Sequence, residues 1–444
     1  MKTNIILIAT LLSLTLIQTA AQDTAMLLSL SQACRLGTEN NASVRNAALE
    51  QQKSHYRLKE QQSSLYPQID GYSTFSYYYA IPQMIVPGEI FGQTGMIPMQ
   101  IGTVYDWNTG FQASQVLFNQ SYFTSLKLAR QMEALSSLSL EQQKESIVYQ
   151  VSQLYFLCKN TEKQIEVLSL NLQNNEKLAK ITEIQSTEGI ILKTDHSRVM
   201  VNTDNLRTQL DNLELLRRQQ TGLLKYLTGL SPGQNIILTD SLEPNPVFIT
   251  ELLVDFSGNS SIRTLDRQIE ISLLSKKCKS EEILPSFSGY GHFYYQGQRN
   301  EFDFNQNIDK KFYKAGYLGI SLNIPLFNGF EHQAKLRQSD LELQQLRNSL
   351  NDTWNSLTRE HSDALFHYQN SMTSLQRQED NIRLAEETYS VSLHCYRQQV
   401  IPLSDLFLAE ASLTESRLSY NNALFQLKNA ELDLRKIKGE LLDF

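Results

Sequence analysis

The chain is short of helix breakers: ten Pro and 19 Gly in 444 residues. So few breakers leave room for long uninterrupted helices. It has no basic excess, since 40 Lys and Arg against 47 Asp and Glu give a formal charge of −7. Without a basic cluster there is no electrostatic case for nucleic acid. Beyond the N-terminus there is no apolar run of the ~20 residues that a membrane-crossing helix needs. The four cysteines, Cys34, Cys158, Cys278 and Cys395, show no CxxC spacing. Most are expected to be buried and to behave as small apolar residues. Seven His are scattered, and His361 and His367 lie six apart, on different faces of a helix. No Cys or carboxylate completes a metal ligand set around them. There is no phosphate-binding GxxxxGKS or GxxxxGKT loop, so any energy must come from a partner. No catalytic constellation and no cofactor motif is legible; the chain is expected not to be an enzyme.

What is present begins with a secretory leader. Lys2 supplies the positive start, Ile5 to Ile17 the apolar stretch, and Thr19-Ala20-Ala21 the small residues a peptidase reads. The stretch is too short to anchor a protein, and cleavage is expected after Ala21. Cys34 lies too far beyond that site for a lipoprotein anchor.

The rest reads as one unit written twice, about 210 residues apart. Leu65-Tyr66-Pro67 precedes two alternating segments that end at Leu117-Phe118-Asn119. Ile283-Leu284-Pro285 precedes two more, which end at Leu326-Phe327-Asn328. Each Leu-Phe-Asn opens a helical run of about 65 residues, then a short break, then a helix of about 34. The breaks are Glu188 to Asp195 and Gln398 to Asp405, and the closing glycines are Gly229 and Gly439. The chain therefore divides into a leader 1–21, repeat 1 over 22–230, an equatorial connector 231–262, and repeat 2 over 263–444. β-Hairpins are expected at about 68–118 and 286–325.

The long runs carry a seam. Ile147, Val151, Leu154, Cys158, Thr161, Ile165, Leu168 and Leu172 step alternately by four and three residues, a coiled-coil pattern. Leu206, Leu210 and Leu213 continue it, and Leu413, Tyr420, Leu424, Leu427 and Leu434 repeat it in the second copy. A helix of ~65 residues would be ~100 Å long, a strut no compact globule needs. The strands alternate instead with period two: Leu318, Ile320, Leu322 and Ile324 against Tyr317, Gly319, Ser321 and Asn323. Ile69 to Tyr79, Phe111 to Phe118 and Phe287 to Tyr295 are aromatic-rich and of the length of tilted membrane strands. Two hairpins on a soluble core would read similarly. Four strands cannot close a lumen, and open edges cannot face lipid, so a membrane sheet must be completed by other subunits. The hairpin loops, about Ala80 to Asp106 and Gln296 to Lys314, are expected outside the cell. The first is apolar, with Glu89 as its only charge before Asp106, and would fold over the pore mouth or meet a surface partner.

Leader, duplication, hairpins bounded by Tyr-Pro and Leu-Phe-Asn, heptad helices and the Gly-x5-Asp break together resemble the TolC-like outer membrane efflux protein family. The resemblance covers about Ala25 to Leu441 and implies a mostly α fold with a small membrane β part. It implies a homotrimer with a 12-stranded transmembrane β-barrel continuous with a hollow α-barrel. It also implies residence in the outer membrane of a Gram-negative-type cell, contact with outer-membrane lipid, a periplasmic adaptor, and an inner-membrane pump. The expected function is a passive export duct for small molecules or drugs in a tripartite system. A type I protein-secretion channel shares the architecture, and a soluble periplasmic coiled-coil adaptor is the reading from a different class.

The resemblance also implies that the two breaks form a closable periplasmic tip. Gly189 matches the family's tip glycine, Asp195 and Asp405 its aspartates, and Tyr396 a tyrosine of the closing network. Gln399 stands where a second glycine is usual, Ile401 where some members have arginine, and Leu408 where some have a further aspartate. A gate closed mainly by packing, with Asp405 and Tyr396 as its polar part, fits these departures. Asp195 and Asp405 could alternatively cap the helices that follow. The apolar tip residues Ile190, Ile191, Val400, Ile401 and Pro402, with Gly189, are expected to dock the adaptor, since such exposed residues need covering.

Overall fold

The computed structural model describes residues 25–92, 94–244, 255–305 and 312–442. The leader, part of the connector, Asp309 to Lys311 of the second loop and Phe444 lie outside the described residues. The elements run β1 (Met26–Leu28), α1 (Leu30–Asn40), α2 (Ala42–Ser63), β2 (Gln68–Tyr77), β3 (Gln83–Pro87), β4 (Met96–Gln100) and β5 (Tyr105–Phe118). There follow α3 (Gln120–Thr187), α4 (Lys193–Thr228), β6 (Ile236–Leu238), α5 (Ser260–Ser280), β7 (Ser286–Arg299), β8 (Tyr313–Asn323), α6 (Glu331–Arg397) and α7 (Leu403–Lys438). The long helices α3 and α6 have 68 and 67 residues, and α4 and α7 have 36 each. No described helix is long and apolar enough to cross a membrane.

The chain separates into two compact units, and each takes segments from both halves of the sequence. One holds residues 1–49, 138–264 and 350–444. Its core is where the seam predicts it. Ile147, Val151, Leu154, Cys158, Thr161 and Leu168 are buried, while Ile165 and Leu172 are half-buried. Ile147, Val151 and Tyr155 pack with Leu28, Cys34 and Leu224. Leu424, Leu427 and Leu434 pack with Phe256, Leu357 and Tyr368.

Local capping repeats between the halves. Asn41 donates from Nδ2 to the Leu227 carbonyl at 3.0 Å, and its Oδ1 accepts from the Ser43 N–H at 2.9 Å. Asn259 does the same with Ile437 and Ser261, at 2.9 Å in both bonds. Gly229 and Gly439 end α4 and α7 in the left-handed region, at φ 68° and 79°. A Cβ on Gly229 would also lie 2.6 Å from Asn40 Cβ, so conformation and close packing both require glycine. The connector contributes β6, which pairs in parallel with β1.

The second unit, residues 50–137 and 265–349, holds the main sheet. Its order is β2-β5-β7-β8, antiparallel throughout, so β2 and β8 are its edges. Strand β5 begins at Tyr105 rather than Phe111, because Tyr105 to Gly110 pair with Tyr72 to Tyr77 although Asp106, Asn108 and Gly110 are poor strand formers. The apolar first loop is not structureless. Its strands β3 and β4 form a separate two-stranded sheet, and Ile85, Met96 and Ile90 of the turn between them are exposed.

The cysteines differ from expectation. Cys34 and Cys158 are buried, but Cys278 and Cys395 are half-buried. Cys278 also hydrogen-bonds: its Sγ lies 3.2 Å from the Ser121 hydroxyl and 3.2 Å from the Ser121 carbonyl.

Candidate functional site: helical tips and sheet faces

The two breaks have the same backbone. Gly189 takes φ 71° and Gln399 takes φ 58°, both left-handed. The following N–H groups return to the last helical turn, Ile190 to Gln185 O at 2.8 Å and Val400 to Cys395 O at 2.9 Å. Gln399 thus performs the turn that Gly189 performs, at the steric cost of a Cβ in that region. Ile190 and Val400 are 56% and 72% exposed. Gly189 and Pro402 are exposed, and Ile191 and Ile401 half-buried.

Neither aspartate caps its helix. The N-cap positions are Leu192 and Pro402, and neither makes a side-chain capping bond. Asp195 and Asp405 lie in the first turn, where a carboxylate meets the positive end of the helix dipole. Arg198 Nη1 lies 3.5 Å from Asp195 Oδ1, and Ser404 donates to Asp405 Oδ1 at 3.3 Å.

Beneath the tips all four long helices meet. Val199 of α4 and Leu403 and Leu406 of α7 are buried against Leu178, Ala179, Tyr389, Leu393 and Tyr396 of α3 and α6. Tyr396 sits at the edge of this cluster. Burial pushes its phenol up, and the charge of Asp195 adds to the rise. Tyr396 thus feels the charge of Asp195, whereas Asp405 and Leu408 lie exposed one turn apart on α7.

Sequence reasoning missed the polar group below. Glu410 is buried, and its Oε1 accepts from Asn175 Nδ2 at 2.7 Å. Asn175 Oδ1 accepts in turn from Asn202 at 2.9 Å, and Asn171 donates to Thr414 at 2.8 Å. Burial pushes the Glu410 carboxyl up to about 7, which the Asn175 hydrogen bond partly opposes. Glu410 and Asn171 also line a cavity of about 780 Å³ between α3, α4 and α7. Heptad spacing held a signal for this group. Leu403, Leu406, Glu410 and Leu413 step by three, four and three, which puts a carboxylate at a seam position.

The sheet has one apolar and one polar face. Leu318, Ile320, Ile69 and Phe111 are 90%, 72%, 69% and 62% exposed on the first. In register the large residues lie beside glycine, as in Phe111↔Gly71, Leu318↔Gly291 and Ile320↔Gly289. The other face carries Asp70, Tyr72, Asp106, Gln112, His292 and Tyr317. An exposed apolar band on strands of 10 to 14 residues suits the hydrocarbon of a membrane.

The sequence profile described as outer membrane efflux protein matches residues 35–230 and 277–440. The chain belongs to that family. Among solved structures it is similar to the Campylobacter jejuni CmeC outer membrane channel, at 16% identity and TM-score 0.75 over 93% of this chain and 85% of that one. The outer membrane protein VceC of Vibrio cholerae matches at 14% identity and TM-score 0.71, over 92% and 96% of the two chains. The open-state MtrE outer membrane channel of Neisseria gonorrhoeae matches at 15% and 0.69, over 92% and 88%. No curated protein sequence matches the chain. This efflux-family chain is thus mostly helical with a TolC-like fold, and its place is the outer membrane. Of these similar structures, CmeC and MtrE are described as outer membrane channels.

Proposed function

We propose that three copies of this chain form one passive export duct of a tripartite efflux system. Small molecules enter from an inner-membrane pump through a periplasmic adaptor. The observation that carries the reading is the four-stranded sheet with an exposed apolar face and two unpaired edges, β2 and β8. Unpaired strand edges are not tolerated in hydrocarbon, and pairing β8 of one copy with β2 of the next removes them. Three copies of a four-stranded sheet make a 12-stranded barrel. The exposed tips, with Gly189, Ile190, Ile191, Val400, Ile401 and Pro402, are the surface offered to the adaptor. Asp195, Tyr396, Asp405 and Leu408 form the resting constriction.

Detergent extraction followed by native mass measurement and planar-bilayer recording tests this. A trimer that conducts is expected. A membrane-inserted monomer with an intact barrel would overturn it.

A further inference from the structure

We propose that the polar face of the sheet is a transit site for organic cations, built on an aromatic patch of Tyr290, His292 and Tyr317 with Asp70 on the same rung. The inference rests on the barrel reading above, which turns this face toward the lumen.

The register aligns the residues. Asp70 pairs with Gln112, Gln112 with His292, and His292 with Tyr317, so one line across all four strands holds these side chains on the polar face. Their neighbours along the chain, Ile69, Phe111, Phe293 and Leu318, point to the apolar face, as period-two alternation requires. The imidazole of His292 stacks on Tyr317 with centroids 4.9 Å apart and planes 19° apart. Tyr290 meets both edge-on, at 6.3 Å and 6.2 Å.

Tyr290 lies flat because its cross-strand partner is Gly319. A Cβ there would stand 2.5 Å from the Tyr290 Cζ and hydroxyl. The ring is laid down over glycine, which leaves the lumen open and offers π faces to what passes. Aromatic faces attract cations. Fixed negative charge on this face adds to that attraction. Its charged side chains in the four strands are Asp70 and Asp106, while Lys314 and Arg299 are in register with Tyr295 and Tyr105 of the other face. Three copies would make one ring of carboxylates and one ring of aromatic patches, and acidic rings in pores favour cations. Flat rings in a lumen that also carries carboxylates recognise quaternary ammonium and aromatic cations better than anions or neutral sugars.

The test is bilayer recording of the full-length channel with tetrabutylammonium as probe. The parent is expected to prefer K⁺ over Cl⁻ and to be blocked by the probe. Tyr290→Leu with Tyr317→Leu should weaken block about fivefold, the scale of one or two cation–π contacts. Tyr317→Phe should retain it, because the π face remains. Asp70→Asn should lower K⁺ preference, and it carries the test alone if the Leu variant fails to assemble. Conducting variants with unchanged block and unchanged reversal potential would overturn the inference alone. A parent that does not conduct would remove the duct reading, and the inference with it.

Discussion

At the scale of single residues, Glu410 is a carboxyl held away from water. Its native pKa of about 7 lies above the ordinary 4.5, so between those values the folded chain binds more protons than the unfolded one. Stability must then fall as pH rises through that window and level off above it. The ionised form costs at most about 3 kcal/mol per chain. Glu410→Gln keeps an acceptor for Asn175 and removes the charge. The variant should melt higher than the parent at pH 8 and lose that advantage by pH 4, read from thermal midpoints across pH. A parallel shift at all pH values would refute the assignment. Asp405 poses a different question, since it is exposed and its carboxylate is bonded only by Ser404 among the described contacts. If it lines the constriction, Asp405→Ala with Tyr396→Phe should raise resting conductance and weaken cation preference. If it only meets the helix dipole, about 0.3–1 kcal/mol of stability is lost and selectivity stays.

At the scale of elements, the tip turns decide most. Gly189 and Gln399 hold the same left-handed backbone, but only glycine does so without strain. Gln399→Gly should therefore stabilise the α6–α7 turn by about 1 kcal/mol, visible as slower hydrogen exchange at Val400. Nothing lies within 4 Å of a Cβ placed on Gly189, so a bulky side chain there projects into open space. Gly189→Trp should abolish crosslinking to the adaptor and export while the trimer persists. Unchanged crosslinking would count against docking at this turn. The helices between are held less by single bonds than by the seam and a ladder of amides, with Asn160 and Gln164 both donating to Asn422 at 3.1 Å and 3.0 Å.

At the scale of the whole molecule, the two sheet faces should respond oppositely to charge. Ile320 lies on the apolar face and Ser321 beside it on the polar face. If the apolar face meets lipid as proposed, Ile320→Arg places a charge in hydrocarbon, which costs about 2–4 kcal/mol per chain near a bilayer midplane. It should reduce the yield of heat-modifiable trimer in outer membranes. Ser321→Arg should assemble normally and shift ion selectivity toward anions. Equal yields would mean that the apolar face does not meet lipid.

Much of this was legible in the residues themselves. The four-three seam from Ile147 to Leu172 and the alternation from Tyr317 to Ile324 are periodicities of local geometry, so they survive in one dimension. The two glycine stops and the scarcity of breakers likewise set helix ends and helix length without reference to anything distant. What only tertiary structure decided depends on which residues distant in sequence come together. That Asn175 reaches Glu410, that Tyr396 feels the charge of Asp195, and that Asp70 shares a rung with Tyr317 each requires a packing or a strand register. The left-handed turn at Gln399 belongs here too. Its side chain argues against that backbone, and the packing of Leu403 and Leu406 beneath the tip holds the turn in place.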